Sequence, residues 1–383
     1  METDKTVQRQ YYMDWLRFIC IALIIPFHAF VTHTFDGITY IKAGDNNSYF
    51  SVFNAFLRFW FMPLLFFISG SSSLFALTIR NHRQYLKQRL AKLLVPLIFG
   101  TLTIVSIQSY IRAISTNRFK GNFFEFYPHF FNSPYPHGNF DWGQFWFLAY
   151  LFTFSLLLLP VFLYFKNKSE KKNAKFLSKI FNHRIWMYVP ALYFIITQAL
   201  LRPGWPGFVN LYNDWANVAL YGGLFFFGYI FSLHQNAKNI VSKNWFISLA
   251  LAILSASAIF FIEQKFHLTP GYNIEYMAFK GLHGLNTYLW VIFFIGFGGK
   301  FINKSNSFLN YVRNFSFPLY MIHLIPITIL DYYFLSLTIS VYLKVSIVII
   351  TTYIFSLFFY ELFIKRITIM RFLFGLKVKK KET

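Results

Sequence analysis

The sequence predicts an all-α integral membrane protein of about ten transmembrane helices, with its N- and C-termini in the cytoplasm. Three observations predict this fold class. Hydrophobic residues make up 56% of the 383 positions and charged residues only 13%, whereas a soluble domain carries roughly a quarter charged residues. Apolar segments of about 20 residues recur along the chain, and a helix satisfies its own backbone hydrogen bonds in lipid. The basic residues are also distributed unevenly among the connecting segments.

Ten apolar segments are predicted to cross the membrane. The first apolar run, from Phe18 to Val31, is not followed by a small-residue cleavage site, so it is expected to remain as a span. In chain order the predicted spans are 16–35, 55–79, 93–114, 144–165, 185–201, 215–233, 245–262, 284–299, 317–335 and 341–363. They form one predicted membrane domain, residues 1–365, followed by a short basic cytoplasmic tail, residues 366–383.

The distribution of Lys and Arg sets the predicted orientation. With the N-terminus inside, 26 of the 36 basic residues fall in cytoplasmic segments and 7 in outer loops. Membrane proteins retain basic residues on the cytoplasmic side. The net charge of +22 is therefore attributed to this sorting, and no nucleic-acid partner is predicted. We expect a multi-pass protein of the cell (inner or plasma) membrane, with the lipid bilayer as its permanent surroundings.

Two connecting segments differ in character. The outer loop 115–143 is rich in aromatic residues, Pro and His. It is too apolar for a solvated linker, so we expect it to fold back over the membrane domain. The loop 166–184 is strongly basic, and we expect it to be solvated and close to anionic lipid headgroups.

The first predicted span carries two residues of chemical interest. Arg17 and His28 are eleven positions apart, close to three helical turns, so both point from one face. At about 1.5 Å per residue, His28 lies roughly 16 Å deeper than Arg17, near the bilayer midplane. A histidine there is costly unless it faces a polar cavity or does chemistry, and imidazole is a common general base. The alternatives are a histidine hydrogen-bonded between helices and an arginine that anchors the helix at the interface. Pro26 cannot donate an amide hydrogen to Ala22, which predicts a weakened helix beside His28.

Five landmarks, in order along residues 10–365, resemble the acyltransferase-3 family of membrane acyltransferases, nearest the branch of the glucan-biosynthesis succinyltransferases. Arg17 and His28 match the family's Arg-x10-His pattern in the first span. The other landmarks are FMPLLFFISG at 61–70, QRLAKLLVP at 88–96, FWFL at 145–148 and FSFPLYMIH at 315–323.

The resemblance implies an O-acyltransferase that moves an acetyl- or succinyl-type group from cytoplasmic acyl-CoA to a hydroxyl of a carbohydrate or lipid-linked acceptor outside. It implies that His28 is the catalytic base. The residues implied to bind substrates are Arg17, Arg89, Lys92, Trp146 and His323. Acyl-CoA is a donor substrate here, and no permanently bound cofactor or metal is expected. Cys20 is the single cysteine, which excludes disulfides and Cys-based metal sites within one chain.

Two positions depart from the family's pattern. Lys92 stands where relatives usually have a second arginine, and lysine keeps the charge but loses bidentate phosphate binding. Leu324 follows His323 where relatives often have a polar residue. Cytoplasmic charge sorting alone is the alternative explanation for Arg89 and Lys92, and an interfacial aromatic is the alternative for Trp146. Gly70, with Ser69, is expected to permit close helix packing.

Two other functions are compatible with the sequence. One is a polytopic transporter of a small anionic or glycan-linked substrate, because buried Arg, His and Lys also mark substrate paths. Against it, corresponding halves of the chain lack the paired Gly- or Pro-broken segments that inverted repeats often show. The other is a non-catalytic scaffold or receptor, which would not require the Arg17–His28 spacing. Nothing in the sequence specifies the oligomeric state.

Overall fold

The structure, a computed structural model, describes residues 10–35, 37, 39–135, 137–169, 184–207 and 209–377. These residues are predominantly helical and contain no strand, only one isolated bridge between Pro134 and Phe140. The predicted all-α membrane fold class is confirmed. Residues 170–183 of the basic loop and residues 378–383 of the tail lie outside the described residues.

Eight helices in the described part of the chain are long and apolar enough to cross a membrane, and two bent helix pairs bring the total to ten if each pair is one span. The helices are α1 (Tyr11–Val31), α2 (Ser48–Arg58), α3 (Phe61–Ile79), α4 (His82–Ser115), α5 (Phe123–Phe126), α6 (Trp146–Leu157), α7 (Leu159–Ser169), α8 (Pro190–Leu201), α9 (Trp215–Leu233), α10 (Gln235–Lys243), α11 (Trp245–Lys265), α12 (Ile274–Phe301), α13 (Ser307–Ile322), α14 (Leu324–Phe334), α15 (Val341–Phe359) and α16 (Thr368–Leu373).

Each of the ten predicted spans coincides with one of these helices or bent pairs. Four begin well before their predicted bounds: α2 with α3 begins at Ser48, α4 at His82, α12 at Ile274 and α13 at Ser307. These extensions consist of less apolar residues than a lipid-spanning window contains, so hydropathy alone places the boundary too late. The bends were not predicted; they are 49° between α6 and α7 and 45° between α13 and α14.

The chain divides into two compact units that alternate along the sequence. The first is built from described residues within 1–20, 58–86 and 150–309, and the second from those within 21–57, 87–149 and 310–383. In the first unit α3 packs along α9, and α12 packs against α8 and α11. In the second unit α14 packs against α15 and the last part of α4.

Two glycines let α3 and α9 approach closely in the first unit. A Cβ on Gly70 would lie 1.8 Å from the carbonyl oxygen of Phe225, and one on Gly228 would lie 2.0 Å from the carbonyl oxygen of Phe67. Both clashes are with backbone, which cannot rotate away. Small residues that allow helix backbones to approach are typical of membrane interfaces. The predicted packing role of Gly70 is confirmed.

Gly70→Ala is expected to destabilise the protein by about 1–3 kcal/mol, because overpacking against rigid backbone forces the two helices apart. The measurement is the thermal unfolding midpoint in a non-ionic detergent. Gly44→Ala is the matched control, since a Cβ there meets nothing within 4 Å. Equal midpoints for the two variants would contradict this account of the α3–α9 interface.

Hydrogen bonds fix the position of the segment that follows α1 in the second unit. Thr32 donates to the Asp331 carboxylate of α14 at 2.6 Å. Asp45 accepts from His33 Nδ1 at 2.6 Å and lies 3.5 Å from Lys344 Nζ. Partial burial alone would raise the pKa of Asp45, but the His33 bond and the Lys344 charge outweigh it and lower that pKa. The end of α1 is therefore fixed by α14 and α15.

The outer loop 115–143 folds onto α4 within the second unit. Its short helix α5 begins with a capping box, in which Asn122 and Glu125 bond each other's backbone. Phe126 and Phe130 are fully buried, and Tyr127 Oη donates to the Leu102 carbonyl of α4 at 3.2 Å. Aromatic burial thus holds the loop against the helices, as its composition predicted.

Candidate active site

Helix α1 remains continuous around Pro26. The proline cannot donate to the Ala22 carbonyl, which would leave a backbone acceptor unsatisfied inside the membrane domain. Tyr353 Oη of α15 donates to this carbonyl at 2.7 Å. A side chain from another helix therefore replaces the missing bond, and the predicted weakness beside His28 does not become a break in α1.

His28 lies beside a second histidine. The rings of His28 and His323 have centroids 5.2 Å apart at an interplanar angle of 39°. The two residues come from α1 and from the bend between α13 and α14, and both belong to the second unit. His28 is half-buried and His323 is fully buried. Two candidate residues that are distant in sequence thus form one imidazole pair.

The bend next to His323 has a local cause. Pro326 lacks the amide hydrogen that would bond the Ile322 carbonyl, and its ring clashes with that carbonyl in a regular helix. The helix therefore bends at His323, between Ile322 and Leu324. Such breaks are tolerated in membrane proteins where other groups satisfy the freed backbone.

The hydrogen bonds of His323 define its tautomer. Its Nδ1 lies 2.6 Å from the Tyr320 carbonyl oxygen. A carbonyl only accepts, so Nδ1 carries the proton, and Nε2 of the neutral ring is an acceptor. Nε2 is buried and has no hydrogen-bond partner among the described residues. His323 thus presents a fixed acceptor nitrogen in the second unit.

Gln144 and Tyr320 stabilise this bend, and neither role was predicted. Gln144 Nε2 donates to the Met321 carbonyl at 3.1 Å, and Tyr320 Oη donates to the Gln144 carbonyl. Both residues are buried. Trp146 begins α6 two residues after Gln144 and is half-buried. The predicted residue Trp146 therefore lies next to the turn that holds the His323 bend.

Arg89 and Lys92 lie within one turn of each other on α4. A π-helical turn, Leu90–Leu94, begins immediately after Arg89, and such widened turns occur often at functional sites. Both side chains are half-buried, so the pair is partly enclosed by protein rather than fully solvated.

The described part of the C-terminal tail packs against the same stretch of α4. A Cβ on Gly375 would lie 3.3 Å from the Lys92 carbonyl oxygen, and Phe374 contacts Phe99 with ring centroids 5.7 Å apart. Arg371 donates to the carbonyls of Lys365 and Lys377. Residues 366–377 are thus folded onto the helix that carries Lys92.

Arg17 is held within the first unit. Its guanidinium bonds Asp14 at 3.2 Å and the Ser72 hydroxyl at 2.8 Å. Its side chain is 32% exposed, so these partners do not enclose it completely. Asp14 and Ser72 hold the charge in one orientation, which suits the binding of an anion.

A buried polar cluster in the first unit was not predicted. The Asp214 carboxylate accepts from Tyr150 Oη, from Asn217 Nδ2 at 3.0 Å and from the Val209 amide at 2.9 Å. Burial raises the pKa of Asp214, although these bonds and the charge of Arg202 act in the opposite direction. The cluster organises the loop between α8 and α9.

Comparison with known proteins bears on what these residues do. Residues 10–361 match the family described as "Acyltransferase domain". The chain belongs to the acyltransferase-3 family. A curated relative in this comparison is Glucans biosynthesis protein C of Escherichia coli O139:H28 (strain E24377A / ETEC), 24% identical over 336 residues, which cover 82% of this chain and 81% of the relative. No solved structure matches the chain.

Membership of the acyltransferase-3 family indicates what this membrane protein does. The protein is a multi-pass membrane acyltransferase that transfers groups other than aminoacyl groups. The predicted family and branch are confirmed by the match over nearly the whole chain and by the glucan-biosynthesis relative. The roles of individual residues stay predictions. Of these residues, the structure brings His28 and His323 into contact and keeps Arg89 and Lys92 on one turn of α4.

Proposed function

We propose that this acyltransferase moves an acetyl- or succinyl-type group from cytoplasmic acyl-CoA to a hydroxyl of a glycan or another extracytoplasmic acceptor, in the cell (inner or plasma) membrane. The observation that carries the proposal is the contact between His28 and His323. It supplies a base and a fixed acceptor nitrogen at one place. The glucan-biosynthesis relative supports a carbohydrate acceptor.

His28 acts as general base in this proposal. Its imidazole takes the proton of the acceptor hydroxyl as the oxygen attacks the thioester carbonyl. The tetrahedral intermediate then expels the coenzyme A thiolate, which takes up the proton, so an ester forms and the thioester breaks. His323 is a positioning residue, because its Nε2 is the acceptor that can take the N–H of the His28 imidazole and so orient the other ring nitrogen of His28 toward the hydroxyl.

Arg89 and Lys92 bind the donor's phosphates in this proposal, and Arg17 of the first unit is proposed separately as a substrate-binding cation. Hydrogen bonds between guanidinium and phosphate are charge-assisted and can be bidentate. Lys92 contributes a point charge only. Asp14 and Ser72 hold the Arg17 guanidinium in place. Trp146 is proposed to contact substrate, because it begins α6 directly after the turn whose Gln144 carbonyl accepts from Tyr320.

The test of this function is recovery of acylated product from purified protein. Detergent-solubilised protein is incubated with labelled acetyl-CoA or succinyl-CoA and a soluble glucan oligosaccharide, and the oligosaccharide is analysed by mass spectrometry. Mass gain on the oligosaccharide that depends on protein supports the proposal. Uptake of oligosaccharide or anion into vesicles without any acylation would favour the transporter alternative.

Arg89→Gln is expected to raise the KM for acyl-CoA about tenfold with a small change in kcat. A phosphate contact is made equally in the ground and transition states, and losing a charge-assisted bond costs about 1.5–3 kcal/mol. Steady-state kinetics with varied acyl-CoA measures both constants.

Arg83→Gln is the matched control, because Arg83 is an exposed arginine at the start of the same helix. Its KM should equal that of the unmodified protein. An unchanged KM for Arg89→Gln would show that Arg89 does not bind the donor and is only one of the basic residues retained on the cytoplasmic side.

A further inference from the structure

A cavity in the second unit has no part in the acyl transfer described above. Its volume is about 320 Å³, and its lining includes Tyr40, Lys42, Arg112, Arg118 and Tyr135. By the predicted orientation it opens on the outer side, since these residues come from the loops that follow α1 and α4 and from the last turn of α4. The size is within the usual range for a small-ligand site, about 300–1,000 Å³.

The positive charge of this cavity is unusual, because most Lys and Arg residues of the chain are predicted to lie on the cytoplasmic side. Basic residues are depleted on the outer side of membrane proteins, and only 7 of 36 fall there in this sequence. Three of those, Lys42, Arg112 and Arg118, line this one cavity. Charge sorting does not explain their convergence, so a local anionic ligand is the simplest physical reason for it.

Arg112 is held ready for such a ligand. Its guanidinium carbon lies 5.4 Å from the centroid of the Tyr40 ring and 4.7 Å from that of the Tyr135 ring. Two aromatic contacts orient the planar group without neutralising its charge. Among the described residues no carboxylate forms an ion pair with Arg112, Lys42 or Arg118. Lys42 bonds the uncharged Thr34 carbonyl instead.

Helix α14 extends from the cavity to the candidate active site. Leu335 lines the cavity and follows directly after α14, whose other end adjoins His323. Along α14 the separation is about 18 Å at roughly 1.5 Å per residue. A ligand bound in the cavity therefore lies at the outer end of α14, and His323 adjoins the other end of this helix.

We propose that this cavity binds a phosphate group of an extracytoplasmic ligand. Three cations around one cavity match the charge of a phosphate better than the single charge of a carboxylate, and an oriented guanidinium suits its oxygens. The phosphate belongs either to the acceptor or to an anionic lipid headgroup. Binding does not depend on acyl transfer, so this proposal and the proposed function can fail separately.

The experiment is a calorimetric titration of the full-length protein, in nanodiscs of phosphatidylcholine, with inorganic phosphate and with glycerol phosphate up to millimolar concentrations. Saturable binding is expected, and Arg112→Gln should raise Kd about tenfold, as loss of one charge-assisted contact predicts. Arg118→Gln should also weaken binding. Because Arg118 is exposed, this variant keeps the test valid if Arg112→Gln fails to fold.

Lys120→Gln is the matched control, since Lys120 is an exposed basic residue of the same outer loop that does not line the cavity. It should leave Kd unchanged. Absence of saturable binding, or equal weakening by Lys120→Gln and Arg118→Gln, would overturn the proposal. Repeating the titration in discs that contain phosphatidylglycerol distinguishes the two sources. Weaker binding of the soluble probe there assigns the cavity to a lipid headgroup, and unchanged binding assigns it to the acceptor.

Discussion

His28→Gln is expected to lower kcat for acyl transfer by about 10²–10⁴-fold, the usual effect of removing a general base. Glutamine retains a hydrogen-bonding side chain of similar reach, but it cannot take up a proton at neutral pH. His28 lies on α1, and its ring contacts that of His323. Helix α1 remains intact at Pro26, where Tyr353 donates a hydrogen bond to the Ala22 carbonyl. The substitution therefore removes the base while leaving the helix that holds it.

The lower kcat must come from loss of the base and not from misfolding or weaker binding of coenzyme A. His28→Gln and His28→Ala should both insert, keep their thermal unfolding midpoints and bind coenzyme A with unchanged affinity. Near-full turnover by the glutamine variant would show that His28 only packs between helices, and the proposed mechanism would then be wrong.

His323→Phe is expected to lower kcat by about 10–100-fold, as loss of one buried hydrogen bond of about 1–3 kcal/mol predicts. Phenylalanine keeps a ring of similar volume but has neither the Nδ1 donor to Tyr320 nor the Nε2 acceptor. The measured quantity is kcat, with KM for acyl-CoA expected to stay the same.

Two further substitutions separate the nitrogens of His323. Asparagine places its amide near the position of Nδ1 and can still donate to the Tyr320 carbonyl, whereas the glutamine amide reaches the position of Nε2. Recovery of turnover in His323→Gln but not in His323→Asn would support the positioning role of Nε2. The reverse pattern would show that His323 serves only to stabilise the bend between α13 and α14.

The membrane fold could be predicted because its cause is local. Each span needs about 20 apolar residues, and that requirement is visible in the sequence without knowledge of any neighbour. Even the short segment predicted at 284–299 lies within α12 (Ile274–Phe301). The bends at Leu158 and at His323 were missed, because proline marks a possible break but packing decides where the helix bends.

The candidate site was only partly predictable. Spacing and family resemblance nominated His28 and His323, but their contact depends on how α1 packs beside the α13–α14 bend. Gln144 carries no motif, and its role arises from a turn that meets the Met321 carbonyl. The repair of the Ala22 carbonyl by Tyr353 is equally invisible in sequence, since the two residues lie on the first and last membrane helices.

The proposed function requires that acyl-CoA on the cytoplasmic face acylates a hydroxyl on the outer face. Its most direct test uses inside-out membrane vesicles with a soluble glucan oligosaccharide trapped inside and labelled acyl-CoA added to the medium. Labelled ester should form on the trapped oligosaccharide, and none should form with His28→Gln. No ester should form when right-side-out vesicles receive the same acyl-CoA from outside. Equal labelling in both vesicle orientations, or labelling that survives in the His28→Gln variant, would contradict the proposed function.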